Sequence, residues 1–498
     1  MGPHVKRVLA AIPVDARPAV RSQVQELVAC AGWELRMPPV SLLGRLRLPG
    51  DRDALRDWLL EQAPHVDGFV LSLDMLVYGG LVPSRFIEDR GQDLLQRLQI
   101  LRLLRQQAPN RPLFAFAATM RISNNAVAEE EKDYWAAHGP QLWSWSFHQD
   151  HGRHAPEPEA AAHSTAEVLR LEQAIPAAIR QDYLNTRQRN LEVTWQALQA
   201  VRTGLIDRLV LPQDDTAEWG LNVAERRRLQ AQVQAWALQD RVAIYAGADE
   251  VMHTLCARLV AQLEARLPLY VALWPGDAEG LSAMRARYED RPVWDSIAAQ
   301  MAAVGAVAVK PESKADVVLA LHSQGREQGD WAMGLALPEP RGLSAEWVQA
   351  LQRLHTQGQP WALADLAYAN GGDPQWLASG VPLPDAYAGW NTASNTLGSV
   401  LAQCRLGAAQ LRGPASRRAL SLRLLEDLLY QAQVRQTLRA QVDESTCSPQ
   451  ELLQAARALM LPASRAFAQA HGLSHCVSDV SLPWDRSFEL DLQLEPLA

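Results

Sequence analysis

Short apolar runs that stop on an acid and give way to a helix-forming stretch recur along this chain. That alternation restricts it to an α/β fold built on parallel sheet. Residues 209–211 lead through Pro212 and Gln213 to Asp214, Asp215 and Thr216. Residues 7–14 lead to Asp15 and Arg17, residues 68–73 to Asp74, and residues 242–246 to Asp249 and Glu250. Such runs show no polar alternation, so each strand is expected to be buried on both faces by helices. Acids at their carboxyl ends fall where α/β proteins assemble their chemistry.

About eleven candidate strands precede residue 411. Eight of them would close a TIM-barrel-like sheet, the arrangement favoured for the first half, and two doubly wound α/β domains split near Pro268 are the alternative. The expected organisation is a barrel-like catalytic half over residues 1–267 with an insertion at about 129–176, a second α/β half over 268–411, and a helical C-terminal portion over 412–498.

Composition sets the outer limits. At 498 residues, 48% apolar and 21% charged, the chain has ordinary globular composition and ample apolar content for large cores. Its net charge of −8 includes no basic block, which argues against nucleic acid or an anionic membrane as partner. Five scattered cysteines without a Cys-x-x-Cys pair fit a reducing, cytoplasmic compartment and no zinc ribbon. Residues 1–14 read as a first strand instead of a signal peptide, and no apolar window approaches the ~20 residues of a membrane span. A small molecule or carbohydrate is the partner these limits leave, and the oligomeric state is not legible.

Asp214-Asp215 is the pair to which catalysis is assigned. A helix expected over residues 224–238 needs only one N-cap, and Gln-Asp-Asp supplies more than a cap requires. Asp15 and Arg17 stand two apart at a strand end, placed to orient each other or to grip a polar substrate. After Asp74, Gly79-Gly80 allows a tight turn or close approach to a ligand, with Tyr78 and Arg85 facing the same mouth. Arg121 follows another strand. Asp249 and Glu250 read equally as substrate ligands and as first-turn acids of the helix over 251–263.

The insertion holds Trp135, Trp143 and Trp145, aromatics suited to stacking on a sugar, and His148, His151 and His154 in what reads as a Gly- and Pro-containing loop. A solvated lid is favoured there over a metal centre, because no His-Glu-x-x-His frame accompanies the histidines. Further on, Trp390-Asn391-Thr392-Ala-Ser-Asn395-Thr396 opens a helix with amides and hydroxyls suited to a carboxylate, phosphate, acetamide or sugar hydroxyl. The tail, Trp484-Asp-Arg486-Ser-Phe488-Glu489, reads as a segment docked on the main body.

Four segments together resemble a bacterial domain-of-unknown-function family marked by a Leu-Pro-Gln-Asp-Asp string. They are residues 72–85, 211–215, 247–250 and 389–398, and the resemblance extends from Ile12 to Glu489. The family tends to show Pro-x-Asp-Asp-Arg-Pro near its start, and here Ala16 stands in place of the second acid. A separate similarity concerns mechanism. Hexosaminidase-type glycosidases carry an adjacent acidic pair at a barrel strand end, one acid orienting the acetamide and the other protonating the leaving oxygen. Asp214-Asp215 looks like that pair, and Trp390-Asn391 is similar to their sugar-holding loops.

The expected function is therefore glycoside hydrolysis without a cofactor. Asp215 is the acid, Asp214 the orienting carboxylate, and Asp15, Arg17, Asp74, Tyr78, Arg85, Arg121, Asp249, Glu250, Trp390, Asn391 and Asn395 bind substrate. The alternatives are a hydrolase using Mg²⁺ or Mn²⁺ on Asp15, Asp74, Asp214 and Asp249, and a non-catalytic sugar-binding protein.

Overall fold

The computed structural model describes residues 7–497 apart from 311, 339 and 409. Residues 1–6, read above with the opening strand, lie outside the described residues. The strands of the first half are β1 (Val8–Ile12), β2 (Glu34–Arg36), β3 (Gly68–Ser72), β4 (Leu113–Phe116), β5 (Arg208–Gln213) and β6 (Val242–Ala246). They form one parallel sheet in the order β2-β1-β3-β4-β5-β6. β1 and β3 are buried throughout, as uninterrupted apolar runs require. β5 continues beyond the apolar run of residues 209–211, through Pro212 as far as Gln213.

The sheet is open, so the barrel favoured for this half is replaced by the doubly wound alternative. Closure needs the last strand to pair with the first. Here β2 is three residues long and runs into Pro38-Pro39, which cannot extend a ladder. The second half supplies β7 (Leu269–Pro275), β8 (Ala306–Ala308), β9 (Val317–His322), β10 (Gly329–Asp330), β11 (Trp361–Asp365), β12 (Tyr368–Ala369) and β13 (Ala386–Ala388). Five of these form a parallel sheet in the order β13-β11-β9-β7-β8, while β10 and β12 pair separately. Each sheet thus places its second strand at one edge and extends the other way from its first. That puts a reversal point between β1 and β3 and another between β7 and β9.

Helices Ser22–Ala29, Val251–Leu263, Val293–Val304 and Ala393–Gly407 pack between the sheets. One apolar core runs from Leu9, Val70 and Phe114 of the first sheet to Val271, Leu319 and Ala362 of the second. Every residue of the Ala393–Gly407 helix is buried, so its polar start faces protein on all sides. Among the described residues no helix is long and apolar enough to cross a membrane.

Two regions depart from expectation. The insertion is a helical hairpin, Trp135–His154 against Pro158–Ala174, with its own core of Trp135, Leu142, Trp145 and Leu171. Gly152, read as a loop residue, lies inside the first helix, where a Cβ would meet the Ser164 Cβ at 3.2 Å. Its role is close helix packing. The C-terminal portion is helical as expected, with a π-helical stretch at Leu424–Val434, but it ends in an unanticipated antiparallel hairpin, β14 (His475–Ser481) and β15 (Asp491–Pro496). The connection of that hairpin is the segment that reaches the site.

Candidate functional site

The first turn after β5 is released from capping. The next helix begins at Leu221 with Gly220 as N-cap, and the insertion takes its free backbone donors. Asp150 Oδ2 accepts from Gly220 N at 3.0 Å, and Ser146 Oγ accepts from Leu221 N at 2.8 Å. Asp214 and Asp215 therefore point elsewhere, and Asp215 takes a left-handed backbone with φ +30°.

Each aspartate is held by a different arginine. Arg85 Nη2 donates to Asp214 Oδ2 at 2.8 Å, and Arg121 Nη1 donates to Asp215 Oδ2 at 2.8 Å. Both guanidinium groups also reach Glu131, and both pair with Glu130. Glu130 is in turn bound by Arg486 from the tail at 2.8 Å. Although burial works the other way, Arg121, Arg486 and Arg85 hold the Glu130 carboxyl well below the usual range. A second web lies at the neighbouring strand ends. Arg17 Nε donates to Asp15 Oδ2 at 2.9 Å, and its Nη2 donates to Asp249 Oδ1 at 2.6 Å. Asn391 Nδ2 donates to the other Asp249 oxygen at 2.7 Å. Asn395 Oδ1 accepts from Ala248, Asp249 and Glu250 backbone N–H groups at 3.2–3.4 Å, so it shapes the loop that carries Asp249.

These webs share one electrostatic neighbourhood. Burial pushes Asp74 up to about 7, reinforced by Asp214 and opposed by a bond from Ala118 N. Burial also pushes Asp249 up to about 6 against the pull of Arg17, with Asp15 and Asp214 adding repulsion. Asp215 rises to about 6 through burial and Asp214, against Arg121 and Arg85. The acids at the ends of β1, β3, β5 and β6, scattered over more than two hundred residues, thus converge.

The hairpin connection covers the convergence. Arg17 and Arg486 each place Cζ 5.0 Å from the Trp484 ring centre, and Phe488 lies 6.5 Å from Trp390. The indole N–H groups of Trp390 and Trp484 are buried and have no hydrogen-bond partner among the described residues. A recess of about 10 Å³ remains beside Asp15, Gly80 and Trp484. A larger hollow of about 550 Å³ lies away from the acids, between Leu383, Arg417 and Leu473.

Not every expected residue arrives. Tyr78 is packed with Leu94 and Val193 under Arg189, because it closes a short helix facing the core. Gly79 follows in a left-handed turn against Pro49 and Gly50, with no ligand-sized space at its α-carbon. Glu250 turns into the helical layer, where Gln300 Nε2 donates to it at 2.7 Å and burial raises its carboxyl well above the usual range. His148 and His151 share Ser164 Oγ, while His151 and His154 pack on Trp219, so these histidines dock the insertion onto the loop after Asp215. Among the described residues no group of three or more His, Cys, Asp or Glu side chains is placed to hold a metal ion. Glu130, Glu131, Trp484, Arg486 and Glu489 were not in the expected site. Their signals were the Glu129-Glu-Glu131 run and the unusually specific tail.

A model of the family described as "Protein of unknown function (DUF4127)" matches residues 9–493. No curated protein matches the chain significantly. Among solved structures, the carboxyl transferase domain from Rhizobium etli pyruvate carboxylase is 11% identical with a TM-score of 0.19, covering 95% of this chain and 58% of that one. The same domain with 3-bromopyruvate is 13% identical with a TM-score of 0.17, covering 93% and 57%. The chain spans somewhat over half the length of these structures.

Proposed function

The chain belongs to the DUF4127 family, whose description names no activity, and we propose that it is a glycosidase-type hydrolase acting on a small sugar or N-acetylhexosamine-containing substrate. The observation that carries this reading is the asymmetry of the tandem aspartates. Both are bonded by an arginine, but the Asp214 side chain is 12% exposed, whereas that of Asp215 is 29% exposed and, despite Arg121, its carboxyl is raised to about 6. An acid able to keep a proton near neutrality beside a second carboxyl group is what protonation of a glycosidic oxygen requires. Asp215 gives its proton to the leaving oxygen. Asp214 orients the substrate or offsets the positive charge of the transition state. Trp390, Trp484 and Phe488 supply the aromatic surface, a role first assigned to the insertion. A cytoplasmic setting goes with this reading, supported by five free cysteines.

A panel of aryl glycosides that includes N-acetylhexosaminides tests it. Turnover abolished by Asp215→Asn, with an unchanged circular dichroism spectrum, is the expected result. A panel left wholly uncleaved by the wild type refutes it. The metal-dependent alternative requires Mg²⁺ or Mn²⁺ to displace Arg17 from Asp15 and Asp249, and Arg85 from Asp214. Stoichiometric metal on elemental analysis, with activity lost on chelation, would favour it. The non-catalytic alternative draws on the engagement of Asp15 and Asp249 by Arg17, and it predicts saturable sugar binding without turnover.

A further inference from the structure

Four of the eight non-glycine residues with left-handed backbone among the described residues are linked where the loops of the two halves meet. They are Asp215 (φ +30°), Tyr288 (φ +66°), Asn370 (φ +60°) and Asn391 (φ +62°). Such conformations are strained for side-chain-bearing residues and persist where the surroundings enforce them, often at sites of function. Here they are tied in sequence. Thr216 N donates to Tyr288 O at 2.9 Å, which fastens the residue after the aspartate pair to the β7–β8 connection. Asn370 N donates to Asn391 O at 2.9 Å, and Asn391 reaches Asp249.

Within this strip Tyr288 Oη donates to Asp330 Oδ2 at 2.6 Å. The other Asp330 oxygen accepts from Ala332 N, Met333 N and Asn370 Nδ2 at 2.9–3.1 Å. Asp330 is fully buried, and among the described residues no Arg, Lys or His bonds to it. It is a carboxylate fixed by donors on one oxygen, with the other left to a single phenol. Tyr288 is half-buried, and its bond to Thr216 N holds it next to Asp215 in the fold.

We propose that Tyr288, oriented by Asp330, takes the proton from the attacking water while Asp215 serves the leaving oxygen, so that the second half of the chain supplies the base side of the reaction. This rests on the glycosidase reading. In the step, the water oxygen bonds the anomeric carbon while the bond from that carbon to the leaving oxygen breaks. The bonding pair stays on the leaving oxygen, which takes the Asp215 proton. One water proton passes to Tyr288 Oη as the original phenol proton passes to Asp330 Oδ2. Atoms and charges balance without a co-reactant.

The test is hydrolysis of the aryl-glycoside panel by Tyr288→Phe, with Tyr134→Phe as the matched control. Tyr134 also donates to a carboxylate, Asp182 at 2.8 Å, but in the insertion. Tyr288→Phe is expected to lower kcat about 100-fold or more with KM changed less than threefold. Added azide, which needs no base, restores turnover, and Tyr134→Phe matches the wild type. Asp330→Asn gives the same pattern where it folds, and Tyr288→Phe alone decides the matter where it does not. A Tyr288→Phe enzyme within threefold of the wild type, or one inactive both with and without azide, overturns the role of Tyr288 and leaves the Asp215 reading standing. A wild type that cleaves no member of the panel overturns both.

Discussion

Asn391 Nδ2 donates to Asp249 Oδ2 at 2.7 Å, joining the loop before the second half's buried helix to the strand-end acid that Arg17 also holds. Through the Asn391 bond the two halves contribute to one polar site instead of two. The consequences are measurable.

In the proposed hydrolysis Asp215 serves as an acid only while protonated. With its carboxyl near 6, the protonated fraction falls about tenfold per pH unit above that value. On any aryl glycoside cleaved, kcat/KM should therefore decline on the alkaline side with an apparent pKa near 6. Asp215→Asn should remove turnover by about three orders of magnitude. A flat profile between pH 5 and 8 would refute the assignment.

Asp74 makes stability depend on pH. The folded chain holds this proton up to about 7, against 3.8 for an unperturbed aspartate, so stability is present at low pH and lost as pH rises through that window. The loss is at most on the order of 4 kcal/mol. Asp74→Asn keeps an oxygen for Ala118 N and should melt above the wild type at pH 8 while matching it near pH 4. Thermal melts across that range check it.

Arg17→Met should cost about 3–5 kcal/mol in urea denaturation, because it strands Asp15 and Asp249 side by side with both nearly buried. Adding Asp249→Asn should recover part of the loss. Equal stabilities of the single and double variants would show that the charges do not couple.

Asn395→Ala leaves three buried backbone N–H groups without their acceptor and should destabilise by about 1–3 kcal/mol. Because that acceptor positions Asp249, sugar binding should weaken as well. A loss of stability with unchanged binding would confine Asn395 to the fold.

The alternation of apolar run, acid and helix carried the parallel sheets and the strand-end acids, because burial on both faces leaves an unbroken apolar signature. It could not decide between barrel and open sheet. That choice rests on whether edge strands pair, and Pro38-Pro39 behind a three-residue β2 weighs only once β2 is known to be an edge. Asp15, Arg17, Asp74, Arg85, Arg121, Asp249 and Asn391 lie in one polar neighbourhood with the tandem aspartates. Tyr78 and Glu250 do not, because one residue along a helical turn rotates a side chain by about 100°. Tyr288 and Asp330 were invisible. Neither follows an apolar run directly, and their pairing is made by loops that sequence periodicity does not describe.

The wall formed by Trp484 and Arg486 has a consequence for the order of assembly. Both residues ride on the connection between β14 and β15, so zipping of that strand pair and enclosure of the acids are one event. A substitution that unzips the pair would bare the acids while sparing the sheets beneath.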